Sequence, residues 1–139
     1  MISQQSLNYL LNEAKNQCKK SIQEKKIIHM LIDNYLIDNK NFTHLPDQIK
    51  CRSFSLDVSF ICLQISLVEK FEQILKKYQI SLNQILDANY IESFFNEEDM
   101  DVFNMGNKII NGFNRNEVKM ISKKIEKRGL FERFFNLFS

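Results

Sequence analysis

The chain has 139 residues, a formal net charge of +2, 44% apolar residues and 26% charged residues. That length suits one domain with a real hydrophobic core, and the balance excludes global disorder. Three Gly and one Pro are too few for a sandwich or barrel, which needs turn residues about every 8–12 positions, and they exclude Gly-rich phosphate loops and Pro-rich linkers.

The richness in Asn, Ile and Lys follows AT-rich codon usage, so lysine content alone carries no functional signal. A net charge this small gives no warrant for nucleic-acid binding by itself. Cys18, Cys51 and Cys62 are odd in number, lack CxxC spacing and stand apart from His29 and His44. Neither a zinc cluster nor a disulfide framework is expected, and no cofactor is implied. Free thiols suit a reducing, cytoplasmic setting. The N-terminal residues have no basic start followed by an apolar run, which predicts no secretory signal. The stretch 54–68 is interrupted by Ser55, Asp57, Ser59, Gln64 and Ser66 and is too short and polar to cross a bilayer.

In chain order, Leu7, Leu11, Ala14, Cys18 and Ile22 recur at helical spacing behind a cap at Ser3 or Ser6. Ile27, Ile28, Leu31, Ile32, Tyr35 and Leu36 form a second helical stripe, continuous with the first through a kink or separated from it by a bend at 23–26. Residues 38–50 read as a loop around Pro46. Residues 53–60 alternate as a strand does, with Phe54, Leu56, Val58 and Phe60 against Ser53, Ser55, Asp57 and Ser59. No second segment alternates as clearly, so the helical reading is preferred there. It continues through Leu67, Phe71, Ile74 and Tyr78 as the most buried helix. Ser81 opens a short helix, 89–95 forms a further apolar piece, and Asn96 caps a helix that Gly112 ends. A last helix starts at Asn114 or Asn116 and stops at Gly129, before an amphipathic segment at 130–139. The expected fold is all-α: a compact single-domain bundle of about five to seven helices over 1–139, with 53–60 as a short extended alternative.

Three surfaces are candidates for function. Glu97, Glu98, Asp99 and Asp101 suit either a helix N-terminus or a patch that docks a basic partner protein. Val102 and Phe103 after Asp99-Met100-Asp101 exclude a calcium loop. Lys123 and Lys127, four apart, share a helix face, and with Lys124 they are either plainly solvated or contact phosphates. Phe131, Phe134, Phe135 and Phe138 form an apolar face that closes the core, meets a partner or lies on a membrane surface. His29 and Asp33, four apart on a helix, could orient a general base, but no nucleophile motif accompanies them. An enzyme is therefore not expected. The sequence points to a small cytoplasmic inhibitor or adaptor of bacterial or phage origin that binds another protein, such as an immunity protein neutralising a toxin. A regulator at the membrane surface is the alternative, and a weak nucleic-acid accessory role ranks behind both.

Overall fold

The computed structural model describes residues 3–47, 50–95 and 101–119. The elements are α1 (Gln4–Ser21), β1 (Lys25–Ile37), β2 (Lys40–Phe42), β3 (Phe54–Gln64), α2 (Ile65–Lys77), α3 (Ala88–Glu92) and α4 (Val102–Ile110). The strands form one antiparallel sheet in the order β2-β1-β3. The architecture is mixed α/β, which overturns the expected all-α helical bundle.

The first helix matches its sequence signal. Ser3 Oγ accepts the Ser6 N–H at 3.0 Å and caps α1. Leu7, Leu11, Ala14, Cys18 and Ile22 are all half-buried. The helix stops at Ser21, and Ile22 leaves helical geometry with its N–H on the Cys18 carbonyl. No kinked continuation exists, because the next residues pair into a sheet.

β1 is where the helical expectation fails. Its apolar pairs Ile27-Ile28, Leu31-Ile32 and Tyr35-Leu36 have a four-residue spacing, which imitates a helix. Two physical facts produce that spacing. The register with β3 slips between Ile27 and His29 and again between Ile32 and Asn34, and each bulge shifts the alternation by one residue. Both faces of the strand are also covered. Ile32, Tyr35 and Ile37 pack with Leu11 of α1 and with Phe54 and Leu56 of β3. Leu31, pointing the other way, packs with Ile61 against Tyr90 and Ile91 of α3 and Met105 and Ile109 of α4. A strand buried on both sides loses clean alternation. What remains readable is β-branched and aromatic content, with Ile27, Ile28, Ile32, Tyr35 and Ile37 in thirteen residues.

The alternation at 53–60 is a genuine strand, and β1 is its partner from Lys25↔Gln64 to Ile37↔Phe54. The preference for helix there is overturned with the rest of the bundle. β1 and β2 join through Asp38 and Asn39, whose φ angles of 47° and 65° suit a two-residue hairpin with both central positions left-handed. The expected loop at 38–50 thus contains this hairpin. Asp38 Oδ1 also accepts the Ser53 and Arg52 N–H groups at 2.9 and 2.8 Å. Those backbone donors hold its carboxyl below the ordinary aspartate range.

β1's free edge takes a further segment beside β2. The Ile32 N–H donates to the Asn116 carbonyl, and the Val118 N–H to the Met30 carbonyl, each at 2.9 Å. Leu31 and Glu117 form an antiparallel bridge there, not the helix start expected at Asn114 or Asn116. Residues 80–87 are irregular, so no helix opens at Ser81. Asp87 caps α3 and Asp101 caps α4. Gly112 follows α4 at φ 86°, the left-handed position expected of it. Gly106 lets α4 lie close, since a Cβ there would sit 3.3 Å from Leu86 Cδ1.

The α4 packing sets a stability contrast. Met105 is 0% exposed and Phe103 is 85% exposed, two residues apart on one helix. Met105→Ala should cost about 2–5 kcal/mol in urea denaturation, whereas Phe103→Ala should stay within about 0.5 kcal/mol. Equal effects would contradict the assigned face of α4.

Candidate functional site

The polar centre of the molecule is His29. It is 1% exposed on β1, so both ring nitrogens need partners inside the protein. Nε2 accepts the backbone N–H of Asp87 at 3.0 Å. A backbone N–H can only donate, so Nε2 carries the lone pair and Nδ1 carries the proton. Nδ1–H then donates to Glu117 Oε1 at 2.7 Å. The contact is a charge-assisted hydrogen bond from a neutral imidazole to a carboxylate.

The bridge of Leu31 to Glu117 explains why Glu117 reaches the ring. Bridged residues share a face, and His29 lies two residues from Leu31 on that face. Tyr90 Oη donates to Glu117 Oε2 at 2.8 Å and accepts from Asn114 Nδ2 at 2.9 Å. Burial raises the Tyr90 phenol well above its ordinary range, and the neighbouring Glu117 carboxylate pushes in the same direction. The Tyr90 ring stacks at a tilt on His29 with centroids 4.5 Å apart, then meets Phe94 edge-on at 5.3 Å. Asp87 serves twice: its N–H holds His29, and its Oδ1 accepts the Tyr90 N–H at 2.8 Å. Asn116 extends the network, with its N–H on Asn114 Oδ1 at 3.0 Å and its Nδ2 on the Thr43 carbonyl at 2.8 Å.

This arrangement has the carboxylate–imidazole half of a general base. It lacks the other half. The nitrogen that would face a substrate is closed by a backbone N–H, and the ring is out of solvent. Asp33, the partner expected on a shared helix face, is exposed on the strand and accepts from Ser59 Oγ at 3.1 Å. The network's chemistry is therefore to fix β1, α3 and the segment 114–118 against one another. Among the described residues no group of three His, Cys, Asp or Glu could hold a metal ion, and no buried side-chain N or O lacks a partner.

The residues expected at function sites are placed only in part. Asp101 is exposed and engaged in capping, with Oδ1 on the Asn104 N–H at 2.8 Å and Oδ2 on Asn104 Nδ2 at 2.7 Å. Glu97, Glu98 and Asp99 lie outside the described residues, as do Lys123, Lys124 and Lys127, and Phe131, Phe134, Phe135 and Phe138.

The surface feature missed at these positions is on α2. The helix puts Val68 inward at 3% exposure, while Leu67, Phe71, Ile74 and Tyr78 are 39, 45, 53 and 73% exposed. The spacing was legible, but its placement as the most buried helix is overturned. At 100° per residue the apolar arc is wider than the sheet can cover. Val68 and Leu75 point one way, and the four exposed residues form a stripe beside them. Lys70 and Lys77, one heptad apart and exposed, edge the stripe on its solvent side. Among the described residues no helix is long and apolar enough to cross a membrane. Comparison with known proteins returns no matching family model, no matching curated protein and no matching solved structure.

Two measurements test the network. Glu117→Ala leaves the His29 N–H and the Tyr90 O–H without their acceptor, at about 1–3 kcal/mol for each buried group. Tyr90→Phe should cost less, because solvent reaches the Glu117 side chain at 14% exposure. Urea denaturation at neutral pH gives both values, and equal losses would contradict the assigned bonds. At alkaline pH the sign follows from burial. The folded-state phenol of Tyr90 is raised, so its stabilising contribution is complete below the unfolded value of about pH 10 and declines above it. Above about pH 10 the wild type should lose stability more steeply than Tyr90→Phe, and parallel losses would remove Tyr90 as the cause.

Proposed function

We propose that the protein works by binding another protein, as a small inhibitor or adaptor, and that the free half of α2 is its docking surface. The observation that carries this reading is the exposed stripe of Leu67, Phe71, Ile74 and Tyr78. Its spacings of four, three and four match the a and d positions of a heptad, which is how one helix receives another. The lysine edge selects the partner's chemistry. Lys70 and Lys77 face outward along one border, so the complementary surface is an amphipathic helix edged with Asp or Glu. A toxin neutralised by direct contact belongs to this class when its contact helix has that acidic edge.

This moves the expected docking site. The acidic patch anticipated at 97–101 would seek a basic partner, and its one described member, Asp101, is already engaged as a helix cap. We place the protein in the cytoplasm, in keeping with its unpaired cysteines. The polar network supports a binding role over catalysis at His29, because Nε2 of that ring has no room for a substrate proton.

Affinity capture with variants tests the proposal. Phe71→Glu and Ile74→Glu should each reduce recovery of one stoichiometric partner by about tenfold or more, the effect of ~1.4 kcal/mol. Lys70→Glu with Lys77→Glu should do the same with a reduced salt dependence. Phe103→Glu, on the still more exposed α4 residue, should leave recovery unchanged. All these positions are exposed, so denaturation midpoints should stay close to wild type. Capture indifferent to the α2 variants would overturn the reading. So would co-sedimentation with phosphatidylglycerol vesicles that Phe71→Glu abolishes, or a dimer of this chain that the same variant dissociates.

A further inference from the structure

We infer that Cys18 and Cys62 form an oxidisable thiol pair whose disulfide staples α1 to the sheet. Cys18 lies in the last turns of α1, and Cys62 lies near the end of β3, opposite Ile27 of β1. The chain leaves α1 at Ile22 and enters β1 at Lys25, beside Gln64. The end of the helix is therefore brought to the end of β3. Phe54 and Leu56 of β3 pack with Leu11 of α1, and alternation carries Cys62 to that same face. Cys18 is the neighbouring thiol whose interaction, after burial, raises Cys62. Both residues are half-buried, so a small reagent reaches them. Cys51 sits elsewhere, against the cluster of Ile32, Tyr35 and Ile37.

The step uses a low-molecular-weight disulfide as oxidant. The Cys18 thiolate attacks one of its sulfurs, the S–S bond breaks, and one thiolate leaves. The Cys62 thiol gives its proton to solvent and attacks Cys18 Sγ, expelling the second thiolate. The pair loses two electrons and two protons, and the reagent becomes two thiols. Burial pushes the Cys62 thiol up while the Lys25 ammonium opposes it, so Cys62 suits the second, resolving step. Bond formation brings the two sulfurs to about 2.05 Å.

The consequence falls on α1. That helix has no fully buried residue, so it is held by a half-buried stripe and is the element most able to detach. A covalent link at its end restricts that motion. In a reducing compartment such a link is transient and reports redox state.

The experiment treats the full-length chain with excess oxidised glutathione and reads intact mass, free thiols and disulfide-linked peptides. The expected product is a monomer two hydrogens lighter, with one free thiol left at Cys51 and the Cys18 and Cys62 peptides joined. Amide exchange in α1 should slow after oxidation, and Cys51→Ser should oxidise as the wild type does. Cys62→Ser should stall as a glutathione adduct on Cys18. A persistent glutathione adduct on the wild type would overturn the proposal. So would a bond through Cys51, a disulfide-linked dimer as main product, or three thiols left free.

Discussion

The rest of the structure depends on the burial of one imidazole. β1 is the central strand, and His29 sits in it where water does not reach. An imidazole there needs one acceptor and one donor from the protein. The sheet supplies neither, because the backbone groups of β1 and β3 are used on each other. The partners come from Asp87, 58 residues away, and Glu117, 88 residues away. Satisfying the ring therefore brings the start of α3 onto one face of the sheet and the segment 114–118 to the edge of β1. An unmade bond at such a site costs about 1–3 kcal/mol, a large share of a total stability of about 5–15 kcal/mol.

The apolar packing follows the same geometry. Asp87 caps the short helix that carries Tyr90 and Ile91, and those residues meet Met105 and Ile109. Tyr90 returns to Glu117, so the apolar cluster and the polar network share a residue. On the other face, α1 covers Ile32, Tyr35 and Ile37 through partial burial alone. The two faces are unequal. One is locked by hydrogen bonds that close on themselves, and the other is covered by a helix that the thiol pair can tether.

The parts legible in the sequence are those governed by local chemistry. The capped helix from Ser3, the alternation from Phe54 to Phe60 and the left-handed Gly112 all follow from near neighbours. β1 was hidden because its two bulges convert a period of two into spacings that mimic a helix turn. The Asp38-Asn39 hairpin signal was present, and it was obscured by the polar run that follows it. For α2 the periodicity was right and the buried side was wrong, since periodicity identifies an apolar face without saying what covers it. Glu117 had no local signal at all. A histidine flanked by Ile28 and Met30 implies a buried partner, but a residue so distant in the chain is chosen by topology.

The consequence for function is a separation of roles. The histidine, the carboxylate and the phenol that would suggest chemistry hold the fold together, while among the described residues the stripe on α2 and its lysine edge stand open to solvent. That division rests on the state of His29. Long-range 15N correlation spectra of the histidine ring, with hydrogen exchange at the Asp87 amide, examine it directly. The expected result is a neutral ring protonated at Nδ1, an unprotonated Nε2 and a strongly protected Asp87 amide. A proton on Nε2, or an Asp87 amide that exchanges freely, would contradict it and return His29 to the groups available for catalysis.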